Sequence, residues 1–179
     1  RWGRDRPSVL HSADHIVTRL GELSGGRGRA DDTDAPGESA LAATTSQFKA
    51  TFDRRRGGFG DAPKFPRPSE LLFLLREHAR TGDEAARDMV LATLRAMALG
   101  GMRDHVGGGF HRYSVDGDWR VPHFEKMLYD QAQLVLAYLE AAQASRDPFF
   151  GQIAQDTLQY VNRDLTDERG GFYSAEDGD

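Results

Sequence analysis

The chain has 179 residues, of which 39% are hydrophobic and 28% charged, and its formal net charge at pH 7 is −5. This composition is typical of a soluble globular protein, and the negative charge argues against general nucleic-acid binding, which takes clustered Lys and Arg. The lack of cysteine excludes disulfides and thiolate metal sites within these residues. No apolar run approaches the ~20 residues that span a bilayer, and the N-terminus has no signal-peptide pattern. We therefore expect a cytoplasmic protein without membrane or nucleic-acid partners.

The first predicted element is a helix over residues 7–23, whose apolar residues recur at helical spacing. Its apolar face has no partner nearby in the sequence. Residues 24–38 are rich in Gly, Asp and Pro and have no periodicity, which predicts a linker. The stretch GGRGR within them is also typical of RNA-binding Arg–Gly patches, but three aspartates come soon after it, which favours the linker.

From Ser39 onward the hydrophobic pattern is helical throughout. It predicts helices over 39–53, 69–80, 83–101, 123–143 and 148–165. Asp83 is expected to cap the third of these, with Gly100 or Gly101 past its end, and Pro148 is expected in the first turn of the last. The residues that the helix over 123–143 is expected to bury are Phe124, Leu128, Leu134, Val135, Tyr138 and Leu139. No strand longer than a few residues is predicted.

Three loops share the sequence Gly-Gly-Phe, beginning at Gly57, Gly108 and Gly170, and two predicted helices separate successive loops. Repeated units of this size stack because one unit alone cannot bury its apolar faces. The pattern predicts an all-α fold: a partial (α/α)6 toroid of about two and a half helical hairpins with long GGF loops, preceded by a linker and one separate helix. Because the chain starts at Arg1 and stops in the third GGF loop, we expect a fragment of a longer protein.

The loop over residues 107–127, GGGFHRYSVDGDWRVPHFEKM, carries more aromatic, imidazole and charged side chains than a connection needs. A glycine pair that ends a helix, followed by a packed Phe, explains the GGF motif alone. A metal site would use His105, His111 and His123 with a carboxylate, but their spacing matches no helical histidine pair, and the paired cysteines of zinc deaminases are absent. We therefore predict neither a metal nor a cofactor.

Two further kinds of site fit the loops poorly. Ser114 and Ser174 lack the surrounding glycines of a nucleophile elbow. No glycine run precedes a Lys-Ser or Lys-Thr pair, which argues against a phosphate-binding loop.

Carbohydrate chemistry fits this loop better, because sugars are bound by aromatic faces together with charged and polar side chains. Proton transfer at a sugar carbon or a glycosidic oxygen takes a histidine or a carboxyl group with a tuned pKa. The predicted catalytic residues are His111, His123 and Glu125. The predicted substrate-binding residues are Asp104, His105, Phe110, Tyr113, Asp116, Trp119, Asp130, Glu176 and Asp177. Structural roles stay open as well, such as a helix cap or ion pair for Asp130 and a helix-dipole contact for Glu125.

The stretches GGFGDAPKFP, MALGGMRDHVGGGFHRYSVDGDWRVPHFEKMLYDQAQL and GGFYSAEDGD resemble the thioredoxin-domain-containing proteins related to spermatogenesis-associated protein 20. The resemblance implies a thioredoxin-like domain followed by a toroid similar to N-acylglucosamine 2-epimerases and six-hairpin glycosidases. Residues 1–23 would be the C-terminal helix of the thioredoxin-like domain, 24–38 the linker and 39–179 the N-terminal part of the toroid. The rest of the thioredoxin-like domain, missing from this chain, would be an intramolecular partner.

Three functions are open at this point, because fold similarity does not transfer chemistry. The first is a sugar epimerase, isomerase or glycoside hydrolase that acts on a sugar-like ligand by His and carboxylate proton transfer. The second is a non-catalytic ligand- or protein-binding module attached to a thioredoxin-like redox domain. The third is a purely structural role, in which the GGF loops interlock. Convergence of His111, His123 and Glu125 on one cavity would favour chemistry, whereas internal pairing would favour the structural role.

Overall fold

The computed structural model of the chain describes residues 5–25 and 37–178, so most of the predicted linker at 24–38 lies outside the described residues. Two compact units divide after Ala40. In the first unit, α1 (Arg6–Gly25) confirms the predicted helix. Its apolar side chains are largely exposed to solvent: Leu10, Ile16, Val17 and Leu20. In the described part of the chain, no helix is long and apolar enough to span a membrane.

The second unit is built from helices with two very short strands. After α2 (Glu38–Thr51), which begins at the division, come α3 (Pro68–Thr81), α4 (Glu84–Leu99), β1 (Lys126–Met127), α5 (Leu128–Ser145), α6 (Pro148–Asp164) and β2 (Ala175–Glu176). The short connections at 82–83 and 146–147 make two helical hairpins, α3–α4 and α5–α6. Within the second unit α3 packs against α4 and α5, and α5 also packs against α4 and α6.

Local sequence signals set the ends of these helices. The Asp83 side chain accepts hydrogen bonds from the backbone N–H groups of Ala85 and Ala86, as an N-cap does. Pro148 lies in the first turn of α6, and Gly100 comes directly after α4. Because the short connections lie at one end of the hairpins, the long GGF loops after α2, α4 and α6 all lie at the other end.

The core lies between the two hairpins. It is formed by buried aliphatic side chains of α3, α4 and α5, with Tyr138 and Phe150 completing it. The buried Tyr138 hydroxyl donates a hydrogen bond to the Leu94 carbonyl at 2.7 Å, which joins α5 to α4 and leaves no unsatisfied polar atom on that ring.

The prediction of a helix from His123 was wrong, because α5 begins at Leu128. The preceding residues run extended, and Lys126 and Met127 pair antiparallel with Glu176 and Ala175. The expected burial is corrected at two positions, since Phe124 is 63% exposed and Leu139 41% exposed. Leu134, Val135 and Tyr138 are buried as expected, and Leu128 is half-buried.

The three GGF motifs close turns of the same design. Each turn has an aspartate near its start, and the Phe of the motif bridges the residue before that aspartate, in the pairs Phe52–Phe59, Arg103–Phe110 and Thr166–Phe172. The aspartate side chain accepts backbone hydrogen bonds from the turn. The first glycine of each motif has a positive φ, of 72°, 84° and 91° in chain order, which favours glycine there.

Candidate functional site

A small cavity of about 180 Å³ lies between the second GGF loop and the residues that come after the third. It exists because β1 pairs with β2, which brings the acidic residues near position 176 beside the loop after α4. The residues that line it are Asp104, His111, Phe124, Lys126, Glu176, Asp177 and Gly178. Four of the predicted site residues, Asp104, His111, Glu176 and Asp177, therefore meet here, and we call this space the His111 cavity.

His111 is the one predicted catalytic residue on the lining of this cavity. His111 follows Phe110 directly in the sequence and is only 8% exposed. The Nδ1 atom is buried without a hydrogen-bond partner among the described residues. Burial, reinforced by the positive charge of Lys126, lowers the pKa of the imidazole below its usual value. The ring is therefore neutral at neutral pH and can accept a proton.

An ion pair forms one wall of the His111 cavity. The Lys126 ammonium donates to Asp104 Oδ2 at 2.8 Å and to the Gly108 carbonyl at 3.0 Å. The other oxygen of Asp104 accepts the backbone N–H groups of Val106 and Gly107, at 2.9 and 2.8 Å. Burial acts against these contacts, but together they hold the pKa of Asp104 far below its usual range. Asp104, a predicted substrate ligand, has both oxygens engaged within the loop.

Tyr160 of α6 contacts two residues of the lining, Glu176 and Lys126. Its hydroxyl donates to Glu176 Oε2 at 2.6 Å, and the Lys126 ammonium lies 4.5 Å from its ring centroid. Burial and the neighbouring Glu176 carboxylate raise the pKa of Tyr160, so the phenol stays protonated and keeps donating. Glu176 is thereby held at the cavity while its Oε1 atom accepts no hydrogen bond from the described residues.

His123 and Glu125 belong to a second group of side chains and do not line the His111 cavity. Glu125 Oε2 lies 3.6 Å from His123 Nε2 and 3.8 Å from Arg112 Nε. Arg112 also pairs with Asp130 at 3.4 Å. The pKa of Asp130 is raised by burial, which Arg112 partly offsets. The predicted convergence of three catalytic side chains on one cavity is thus not observed, because the chain turns between positions 111 and 123.

A stack of three rings adjoins this second group. Tyr113 lies between Phe65 and His123, with centroids 4.7 Å apart on both sides. All three rings are partly or largely exposed. Of the aromatic residues predicted to bind a ligand, Tyr113 is the one whose ring remains accessible.

Phe110 and Trp119, which were predicted to bind a ligand, are buried within the fold. Phe110 is fully buried and stacks on Tyr138. Its backbone N–H and carbonyl both bond the Gln131 side chain, at 2.8 and 2.7 Å. Trp119 is 1% exposed and its indole N–H donates to the Arg56 carbonyl at 3.1 Å. Aromatic residues in a loop can pack in a core as well as bind a ligand, so residue type alone could not decide between these two roles.

Asp116 and His105 have structural contacts elsewhere. Asp116 accepts the backbone N–H groups of Asp118, Arg120 and Val121, which folds the loop on itself. Backbone hydrogen bonds lower its pKa against the effect of burial. His105 is exposed and its Nε2 atom lies 2.9 Å from the Gly100 carbonyl.

Tyr160 and Arg112 contact the site residues but were not predicted as site residues, and Lys126, which lies in the stretch that carries the family resemblance, was given no specific role. One signal could have found Lys126: the chain uses 20 arginines and only three lysines. Two of those lysines, Lys64 and Lys126, are almost fully buried. Within residues 5–25 and 37–178, no group of three or more histidine or acidic side chains is placed to hold a metal ion.

Comparison with known proteins places the chain among its relatives. No protein-family model matches it. Human spermatogenesis-associated protein 20 is 46% identical over 188 residues, an alignment that covers 100% of this chain and 23% of the human protein. The rat protein of the same name is 45% identical with the same coverage. This chain is related to spermatogenesis-associated protein 20. It spans about a quarter of the length of these relatives, and the alignment carries no information on a thioredoxin-like domain.

Several solved structures with a similar fold are sugar epimerases or isomerases by name. Cellobiose 2-epimerase from Spirochaeta thermophila superposes with a TM-score of 0.69 at 23% identity, covering 78% of this chain and 39% of the epimerase. A sugar epimerase from a ruminal bacterium gives 0.67 at 16% identity, covering 78% and 40%. A D-mannose isomerase gives 0.57 at 19% identity, covering 64% and 30%. At these identities the likeness shows the fold, and it confirms the predicted partial (α/α)6 toroid.

Proposed function

We propose that this chain is the part of a toroidal carbohydrate enzyme that binds a sugar-like ligand at the His111 cavity, with His111 as the acid–base group. The observation that carries the proposal is His111 itself, a buried imidazole on the lining of a cavity, whose Nδ1 has no hydrogen-bond partner among the described residues. Buried polar atoms are nearly always hydrogen-bonded in folded proteins, and a catalytic role is one of the explanations for an exception. The named activities of the epimerase and isomerase neighbours give the ligand class.

The residues of the cavity suit proton transfer to and from a sugar. A neutral imidazole accepts a proton from a carbon next to the carbonyl of an open-chain sugar and then returns it, and its lowered pKa favours that neutral form. Glu176 and Asp177 accept hydrogen bonds from sugar hydroxyls. Phe124, whose ring lies edge-on to His111 with centroids 5.1 Å apart, offers an exposed apolar face. At about 180 Å³ the cavity is smaller than the ~300–1,000 Å³ of typical drug-sized sites and suits one sugar ring.

His123 and Glu125 remain candidates for a second role at the same end of the toroid. The side chains of His123, Glu125 and Arg112, together with the partly exposed rings of Phe65 and Tyr113, form a surface that suits a further sugar unit. Phe65, at the end of the stack, would contact the apolar side of the sugar ring beside the exposed edge of Tyr113, and Arg112 and Glu125 would bind its hydroxyls.

A second candidate function is a non-catalytic binding module attached to a thioredoxin-like domain. It is favoured by the number of predicted site residues that are used inside the loops: Asp104, Phe110, Asp116 and Trp119. The division into 1–23, 24–38 and 39–179, and a cytoplasmic location, stay predictions under either function.

The test is made on the native polypeptide that contains this sequence. Mono- and disaccharides with their N-acetyl forms are incubated with it in D₂O, and deuterium incorporation at the carbon next to the carbonyl is measured by NMR. Wild-type protein is expected to incorporate deuterium, His111→Gln to lose at least about 100-fold of that rate, and His105→Gln, the same change at an exposed histidine, to retain it. Exchange that survives in His111→Gln contradicts the catalytic role. Sugar binding without exchange supports the binding module.

A further inference from the structure

We propose that the His111 cavity selects its sugar by charge: it binds a cationic amino sugar more tightly than the neutral sugar of the same skeleton, and it excludes phosphorylated and carboxylated sugars. This inference rests on the proposed function and names the substrate class of that site.

The charges on the cavity lining do not balance. Lys126 is the single basic side chain among the lining residues, and its ammonium is bound to Asp104 Oδ2 and the Gly108 carbonyl. It also forms a longer ion pair with Glu176 Oε2, at 3.9 Å, which is beyond hydrogen-bond distance. The one ammonium therefore faces three carboxylates, those of Asp104, Glu176 and Asp177, and negative charge is left in excess.

The hydrogen-bonding groups of the lining also favour a cationic ligand. Glu176 Oε1 and both oxygens of Asp177 accept no hydrogen bond from the described residues, so the lining offers free acceptors. Lys126, whose ammonium could have bound an anion, is only 6% exposed, and two of its three N–H groups already have acceptors. A ligand that brings donors is therefore matched, whereas a phosphate or carboxylate brings only acceptors and negative charge.

The neighbouring arginines do not change this balance. Arg163 is bound to Asp164 and to the Gly107 carbonyl, on the far side of the second GGF loop. Arg103 pairs with Asp156 at 2.9 Å. Each arginine is paired with its own carboxylate, and both line a surface depression other than the His111 cavity. An ammonium placed at Glu176 and Asp177 would complete a pairing that the described residues leave open.

The experiment compares four sugars on the native polypeptide by isothermal titration at neutral pH: glucosamine, glucose, N-acetylglucosamine and glucose 6-phosphate. Glucosamine is expected to bind at least about tenfold more tightly than glucose, and glucose 6-phosphate to give no binding. Raising the salt concentration should reduce the difference in affinity between glucosamine and glucose, since the pair of ammonium and carboxylate would be partly exposed to solvent. Glu176→Gln and Asp177→Asn should each reduce the preference for glucosamine. Asp88→Asn, which removes an exposed carboxylate of α4 outside the cavity, should leave it intact.

The outcomes separate this inference from the proposed function. Equal binding of glucosamine and glucose, or binding of glucose 6-phosphate, overturns the charge selection while the sugar site stands. A preference for glucosamine that survives both Glu176→Gln and Asp177→Asn also overturns it. Failure of all four sugars, with neutral disaccharides failing too, overturns the sugar site itself.

Discussion

Lys64 and Lys126 make the same two contacts in two copies of one turn. Lys64 donates to Asp53 at 2.7 Å and to the Gly57 carbonyl at 2.8 Å. Lys126 donates to Asp104 at 2.8 Å and to the Gly108 carbonyl at 3.0 Å. In both copies the glycine lies four residues after the aspartate.

The two copies differ at the residue directly after the GGF motif. The first has Gly60 after Phe59, whereas the second has His111 after Phe110. An aromatic ring covers each lysine, with Trp119 in the first copy and Tyr160 in the second. The candidate site is therefore a histidine added to a turn that the first copy forms without one. Variants of the first turn can therefore serve as controls for variants of the second.

Replacing either lysine should destabilise the fold by a similar amount. Lys64→Met and Lys126→Met each leave a partly buried aspartate without its partner, and the loss of one member of a buried ion pair costs about 3–5 kcal/mol. Because the two aspartates retain 20% and 25% exposure, we expect about 2–3 kcal/mol in each case, measured by urea unfolding. A loss of less than about 1 kcal/mol in both variants would show that the pairs contribute little.

Only one of the two lysines should influence the histidine. Lys126 lowers the pKa of His111 by its positive charge, so Lys126→Met should raise that pKa. Lys64→Met should leave it unchanged, because its ammonium belongs to the other turn. The imidazole resonances, recorded by NMR through a pH titration, measure the effect. Equal shifts in the two variants would indicate a general loss of structure rather than a local field.

The lowered pKa of His111 also predicts how stability depends on pH. The unfolded chain binds a proton near the ordinary value of 6.5, whereas the folded imidazole takes it up only at lower pH. Stability should therefore fall as the pH drops through 6.5 toward the folded pKa. His111→Gln should remove that part of the pH dependence, and His105→Gln should not. Urea midpoints measured across this range provide the test, and parallel curves for wild type and His111→Gln would refute it.

The close approach of Tyr160 to the second GGF loop makes Gly109 sensitive to substitution. Gly109 has φ +73°, and a Cβ atom there would overlap the Tyr160 ring. Gly170 has φ +91° but open space around it. Gly170→Ala should lose about 1–2 kcal/mol of stability from backbone strain alone. Gly109→Ala should lose more, since the ring must also move. Thermal unfolding distinguishes them, and equal losses would mean that the ring moves without cost.

Much of the fold could be predicted from sequence because its signals are local. Asp83 and Pro148 mark helix starts through contacts within three residues, and the GGF repeat shows the period of the hairpins. The start of α5 could not be predicted in this way. Residues 123–127 have a hydrophobic pattern typical of a helix. However, Lys126 bonds Asp104 in a turn 22 residues earlier, and β1 pairs with β2, some 50 residues later.

The site was harder to predict than the fold for the same reason. The residue types that bind sugars also build a packed loop, and only three-dimensional contacts separate Phe110 in the core from Tyr113 at the surface. His111 and His123 look equivalent in sequence, yet one is buried beside Glu176 and the other is stacked on Tyr113. Lys64 follows Phe59 by five residues but Lys126 follows Phe110 by sixteen, so alignment of the repeats could not reveal their shared pairing with aspartate.

A sugar that occupies the cavity beside His111 should change the environment of that imidazole. The experiment is an NMR titration of the native polypeptide with the sugar panel, in which the imidazole signals of His111 and His105 are assigned from their Gln variants. A bound sugar is expected to shift the His111 signal, saturably, and to leave that of His105 in place. Binding that shifts neither signal, or no binding by any sugar, would contradict it.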